Sequence, residues 1–191
     1  MTENKTPTRL LFVRHGQDLD NSRGLINGRR DTPLSEVGRT QAVRVAEQLR
    51  PEGINCVYSS PLQRATQTAS IIAERLGVAE IDVESDLIER DYGVLTGRSP
   101  DDIPELANKI IVLNDFRYVI DSPGVESYTD LWSRAGNALR KIQSRQGDKG
   151  ILIVAHNEVL KMMRANFHGK PWEDELRRPP LNNCEVIKLV S

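Results

Sequence analysis

The run GILIVA, residues 150–155, is apolar at every position and stops at His156. A strand with one wet face alternates apolar and polar residues, whereas an unbroken apolar run of this length reads as a strand covered on both sides. Residues 8–13, TRLLFV, read as another strand, whose apolar part Leu10 to Val13 runs into Arg14, His15 and Gly16. Residues 55–58 and 81–84 read as shorter strands, and residues 185–190, EVIKLV, as the last one. Between them lie helical patterns. Ala42, Val45, Ala46 and Leu49 share one face of a helix that Ser35 caps and that Pro51 and Gly53 close. Ala65, Ala69, Ile72, Ala73 and Leu76 form the stripe of a second helix, with Pro61 placed in its first turn and Gly77 at its C-terminal end. A third covers about 126–145, with Tyr128, Leu131, Trp132, Ala135, Leu139 and Ile142 inward, and a fourth about 157–167. Strands alternating with helices predict an α/β fold, a mostly parallel central sheet with helices on both faces.

A chain of 191 residues suits one domain spanning 1–191. Residues 93–123 break the alternation and read as a flap insertion, with a helix expected over 101–113. The net charge of −1 gives no overall pull toward nucleic acid or an anionic membrane, so any anion site must be a local cluster of basic groups. No stretch approaches a transmembrane span, and the opening MTENKTP has no apolar signal region. Cys56 and Cys184 are isolated and lack metal-ligand spacing. The expectation is a cytoplasmic protein with reduced thiols.

In open α/β sheets, ligands bind beyond the carboxyl ends of the strands. Arg14 and His15 follow the first strand, residues 59–64 the second, and His156 and Asn157 the run GILIVA, with Glu89 beyond the third. Two arginines offer forked donors to a tetrahedral oxyanion. A neutral imidazole can attack phosphorus, a carboxylic acid can protonate the leaving alkoxide, and a second imidazole can stabilise the moving phosphoryl group. Such a set needs no metal or cofactor.

These residues resemble a known family. RHG at 14–16, Asn21, DTPLSEVGRTQA at 31–42, SSPLQRATQTA at 59–69, LIERDYGVLTG at 87–97 and VAHN at 154–157 resemble, in that order, the histidine phosphatase superfamily of phosphoglycerate mutases and related phosphatases. The resemblance runs from about residue 9 to residue 190. It implies that His15 carries the phosphoryl group, that Arg14, Arg64 and His156 form the phosphate pocket, and that Glu89 donates the proton. Asn21 and Asn27 match polar first-loop positions that contact substrate in many relatives, Asn27 standing where a glutamine is common, and Glu126 matches a structural position; beyond Asn27, the departures are at Asn157, Asp18 and Leu25. Asn157 replaces a usual glycine, where it either bonds substrate or narrows the pocket. Asp18 stands where threonine is frequent, an anion near a phosphate unless it turns to Arg23, Arg29 or Arg30. Leu25 replaces a common arginine.

Each residue also has a plainer reading. A histidine at a strand end can be a capping residue, Glu89 can pair with Arg90 or Arg98, Arg29 and Arg30 can be a solvated pair, and His168 suits a helix end. Three functions remain: a metal-independent phosphomonoesterase, a phosphoglycerate mutase using the same groups, and a silent phosphate-binding protein. The first is favoured, acting on a small phosphorylated metabolite, with a homodimer left open. Of residues 93–123, Arg98, Lys109, Asn114, Arg117 and Tyr118 are expected over the site.

Overall fold

A computed structural model describes residues 9–146 and 150–189. Thr8, Val190 and the segment MTENKTP lie outside the described residues. The central sheet holds β1 (Leu10–Arg14), β2 (Ile54–Ser59), β3 (Ile81–Val83), β6 (Gly150–Ala155) and β7 (Val186–Leu189) in the order β3-β2-β6-β1-β7. All neighbours pair in parallel except β7, which runs antiparallel to β1. The two unbroken apolar runs are thus the inner strands β6 and β1.

Their lack of alternation has a direct cause. Leu10, Phe12, Ile151, Ile153 and Ala155 pack on one side with α5 (Tyr128–Gln146) and α6 (Asn157–Phe167). Leu11, Val13, Leu152 and Val154 pack on the other with α2 (Glu36–Leu49) and α3 (Gln63–Leu76). Successive side chains point to opposite faces, and both faces are dry. Trp132, expected inward, is only partly buried against the first of these clusters.

The helix starts follow local chemistry. Ser35 caps α2 by accepting from the Gly38 N–H at 3.1 Å. Gly16, just past β1, presses on this first turn: a Cβ at Gly16 would lie 2.5 Å from the Gly38 carbonyl oxygen, and one at Gly38 would lie 2.0 Å from that of Gln17. Only glycines allow the loop after His15 to lie this close to α2. Helix α3 begins at Gln63, two residues later than Pro61 suggests, with Leu62 as its N-cap. Asp31 supplies the missing acceptor, taking the Gln63 N–H at 2.6 Å.

The expected helix over 101–113 is not formed. A short helix α4 (Ile103–Leu106) ends as Ala107 turns extended, and β4 (Lys109–Leu113) pairs antiparallel with β5 (Phe116–Asp121). Asn114 and Asp115 make the two-residue turn at φ of 49° and 66°. Both residue types tolerate this left-handed region, and the β-branched runs on either side favour strands. The excursion starts and finishes at one point, since a Cβ on Gly93 would stand 2.1 Å from the Pro123 carbonyl oxygen. One more short helix, α1 (Leu19–Ser22), precedes α2, and α7 (Trp172–Leu176) follows α6. No helix among the described residues is long and apolar enough to cross a membrane.

Candidate active site

The carboxyl ends of β1, β2 and β6 meet at one edge of the sheet. The His15 backbone N–H donates to the Ala155 carbonyl at 2.9 Å, which locks the end of β1 to the end of β6. His15 is 3% exposed, and His156 is fully buried. Their ring centroids are 5.0 Å apart.

The tautomers follow from the partners. His15 Nδ1 lies 2.7 Å from the Gly16 carbonyl, which can only accept, so Nδ1 carries the proton and Nε2 keeps its lone pair. Arg64 Nε donates to that Nε2 at 3.3 Å and to His156 Nδ1 at 3.2 Å. His156 Nε2 therefore carries its proton and donates to Ser60 Oγ at 2.7 Å. Burial holds both imidazoles well below their ordinary pKa. The Arg14 and Arg64 charges add to this at His15, and Arg64 does so at His156. Both are neutral at pH 7.

Arg64 reaches this place on the first turn of α3, and loop acceptors hold the rest of its guanidinium. It donates to the Arg30 carbonyl at 2.6 Å, the Gly28 carbonyl at 2.8 Å and Asn27 Oδ1 at 3.4 Å. Asp18 resolves differently from expectation. It turns to none of Arg23, Arg29 or Arg30 but lies buried beneath Arg64, its Oδ2 3.4 Å from Arg64 Nε and 2.5 Å from Asn27 Nδ2. It thus offsets part of the Arg64 charge from behind. Arg30 pairs instead with the buried Asp20 at 2.8 Å. Arg29 reaches Glu126 and the Glu89 carbonyl at 3.3 and 3.2 Å. Neither is a free solvated cation.

Arg14 bonds the Leu181 carbonyl, and its buried Nε has no partner. Glu89, 8% exposed, pairs with neither Arg90 nor Arg98 by side chain. Its Oε1 accepts from the Arg90 backbone N–H at 2.8 Å and its Oε2 from the Glu158 backbone N–H at 3.4 Å. Burial, and then the nearby Glu158 charge, push the Glu89 carboxyl above its ordinary range, against the pull of these bonds and of Arg64 and Arg14. Arg134 steadies the segment from outside through the Ile88 and Glu89 carbonyls and Glu126.

Arg14, His15, Asn21, Asn27, Arg64, Glu89 and Asn157 all line one cavity of about 540 Å³. His156 backs it through Arg64. Asn157 Oδ1 accepts from the Leu181 N–H and its Nδ2 donates to Glu158 Oε1, both at 2.7 Å, so its side chain is already engaged on the wall. Arg117 and Tyr118 of the hairpin line the cavity as expected. Asn114 instead bonds the Arg177 carbonyl, and Arg98 and Lys109 are not on the lining.

Several contributors escaped the sequence reading. Asn183 donates to the His15 carbonyl and to Asn21 Oδ1, each at 3.1 Å. Ser60 orients His156, and Thr68 accepts from the Gly16 N–H at 3.0 Å. Tyr128, read as core, lines the cavity, as does Glu158. The second serine of SSP was a usable signal for Ser60. Asn183 and Glu158 carried none, because their neighbours in space are far away in the chain.

Residues 10–191 match the model of the histidine phosphatase superfamily, branch 1. The chain is 37% identical over 159 residues to phosphoglycerate mutase-like protein 4 of Arabidopsis thaliana, covering 81% of this chain and 68% of that one. It is 33% identical over 181 residues to a probable phosphoglycerate mutase of Yersinia pestis, covering 94% and 83%. Among solved structures, a mycobacterial glucosyl-3-phosphoglycerate phosphatase complexed with VO3 superposes with a TM-score of 0.82 at 26% identity, over 96% of this chain and 92% of that one. With this match over nearly its whole length and this fold, the chain belongs to the histidine phosphatase superfamily.

Proposed function

We propose that the protein is a metal-independent phosphomonoesterase that works through a phosphohistidine on His15 and acts on a small phosphorylated metabolite. The observation that carries this reading is the unprotonated Nε2 of His15, which accepts from Arg64 Nε at 3.3 Å on a ring that burial holds neutral. A protonated imidazole could not attack phosphorus; this one can.

The phosphoryl group enters between Arg14 and Arg64, whose donors take its oxygens. His15 Nε2 attacks, a P–N bond forms and the ester P–O bond breaks. Nδ1 gives its proton more strongly to the Gly16 carbonyl as the ring gains charge. Glu89 enters this step protonated, as its raised pKa favours, and passes its proton to the departing oxygen. Water then attacks the phosphohistidine. The Glu89 carboxylate accepts a proton from that water, the P–N bond breaks, and His15 returns with inorganic phosphate released. His156, its Nε2–H given to Ser60 and its Nδ1 accepting from Arg64 Nε, holds that guanidinium where charge develops on the transferring group.

A mutase reading is supported by the names of the two relatives above. It would return the phosphoryl group to another hydroxyl of the same substrate. The cavity favours hydrolysis, because exposed residues Asp115, Phe116 and Arg117 line it and leave water access to the intermediate. The test is phosphate release from a panel of phosphomonoesters in EDTA, with 2-phosphoglycerate sought as a product of 3-phosphoglycerate. His15-dependent phosphate release that ignores EDTA supports the phosphatase. Isomerisation without release makes the protein a mutase. Neither activity removes both readings.

A further inference from the structure

The inner wall of the cavity carries a second carboxyl group. Glu158, the second residue of α6, is 4% exposed and lines the cavity. Its Oε1 accepts from Asn157 Nδ2 at 2.7 Å and its carboxylate adjoins the Tyr128 hydroxyl, but its Oε2 is buried with no hydrogen-bond partner within 3.5 Å. Its backbone N–H reaches Glu89 Oε2 at 3.4 Å, so it adjoins the group assigned above to the leaving oxygen. Lys161, one turn on, does not meet it: its Nζ donates to the Arg178 carbonyl at 3.1 Å over the Tyr118 ring.

A buried carboxyl oxygen left unpaired is costly, and a donor on a bound ligand relieves that cost. Such a ligand must donate a hydrogen bond, since an ionised carboxylate only accepts. The charge pattern narrows the choice. Arg14 and Arg64 are committed to the phosphoryl oxygens. The remaining cation on the lining is Arg117, exposed on β5. A leaving-group carboxylate set against Glu158 Oε2 would bring two acceptors face to face with no proton between them.

We propose that Glu158 is a specificity residue whose Oε2 accepts a hydrogen bond from a hydroxyl one or two carbons from the ester oxygen. The preferred substrates are then polyol or sugar phosphates rather than phosphorylated carboxylic acids. This rests on the reading that the phosphoryl group is bound between Arg14 and Arg64 in the same cavity. An ammonium group would satisfy the same oxygen, so the two donors are separated by experiment.

The test measures dissociation constants on the His15→Ala protein, which needs no turnover. The ligands are glycerol 3-phosphate, phosphoethanolamine, 3-phosphoglycerate and propyl phosphate. Glycerol 3-phosphate is expected to bind about tenfold tighter than propyl phosphate, the size of one hydrogen bond to a charged acceptor. 3-Phosphoglycerate is expected to bind more weakly than either. Adding Glu158→Gln should shrink both gaps. The inference is overturned if 3-phosphoglycerate equals glycerol 3-phosphate, if the order is unchanged by Glu158→Gln, or if no ester binds. Tightest binding of phosphoethanolamine overturns the polyol assignment in favour of an amine. If Glu158→Gln does not fold, the ligand order on His15→Ala alone decides. Lack of phosphate release by the wild type would sink the hydrolase reading and leave this ranking intact.

Discussion

The two ends of the cavity are built differently. At the phosphate end, His15, Arg64 and His156 stand on or just past β1, α3 and β6, and their ring and guanidinium nitrogens are tied to one another, to Ser60 or to loop carbonyls. At the ester end the lining comes from Tyr92, the β4–β5 hairpin and the start of α6, and it leaves Glu158 Oε2 unpaired. The first end is fixed by sheet pairing and helix packing before any ligand arrives. That rigidity suits a transition state common to every phosphate ester, because preorganised donors need not reorient as charge moves. The second end hangs on an excursion whose tip residues Phe116 and Arg117 are exposed. Variation there changes what is bound without disturbing how phosphorus is attacked.

This contrast can be broken in order of effect. His15→Ala should lower phosphate release by roughly four orders of magnitude or more on every ester, since losing a nucleophile disables the whole unit. A residual rate within a factor of about 10 of wild type would move the nucleophile elsewhere. Arg64→Ala should cost roughly a hundredfold to a thousandfold. It should also loosen the loop that carries Gly28 and Arg30, read as faster hydrogen exchange at 27–34. Glu89→Gln should lower turnover of an alkyl phosphate by about a hundredfold while nearly sparing p-nitrophenyl phosphate, whose leaving group needs no acid. Equal losses on both would remove the proton-donor role. Phe116→Ala should alter KM by about threefold, in a direction set by the ester, with kcat unchanged.

The same contrast has a pH signature. The Glu89 pKa is raised, so kcat/KM for alkyl phosphates should fall as pH climbs through it, and Glu89→Gln should abolish that limb. Stability runs the other way at the histidines. His15 and His156 have folded pKa values well below the unfolded one of about 6.5. Below that pH the unfolded chain takes up protons that the folded one refuses, so stability declines as pH falls from about 6.5 toward the folded values. The limiting slope is roughly 1.4 kcal/mol per pH unit for each histidine. Denaturant midpoints measured from pH 7 to pH 5 should show it, and His156→Asn should flatten it. A slope untouched by that substitution would place the protonation at other groups.

Much of the phosphate end was legible in the sequence, because it follows strand termini. Arg14, His15 and His156 adjoin runs that can only be inner strands, and Arg64 opens the helix after the next one. The hairpin was misread for a local reason. Ile103 to Leu106 does begin a helix, and the strand signal of Ile110, Ile111 and Val112 lies beyond it; the Asn114–Asp115 turn is the mark that separates the two.

The sequence by itself determined the chain order of the central-sheet strands and their covering helices, and which strands are covered on both faces, since the apolar period of each run depends only on its own residues. It also set Arg14, His15, Arg64 and His156 at or just beyond the carboxyl ends of separate strands. Only the tertiary structure decided what those side chains do to one another. Asp18 lies under Arg64 rather than toward Arg23, Arg29 or Arg30, Arg64 Nε is shared between two imidazoles, and Glu158 Oε2 is left without a partner. Each of these depends on ångström distances between residues tens of positions apart, which no local pattern encodes.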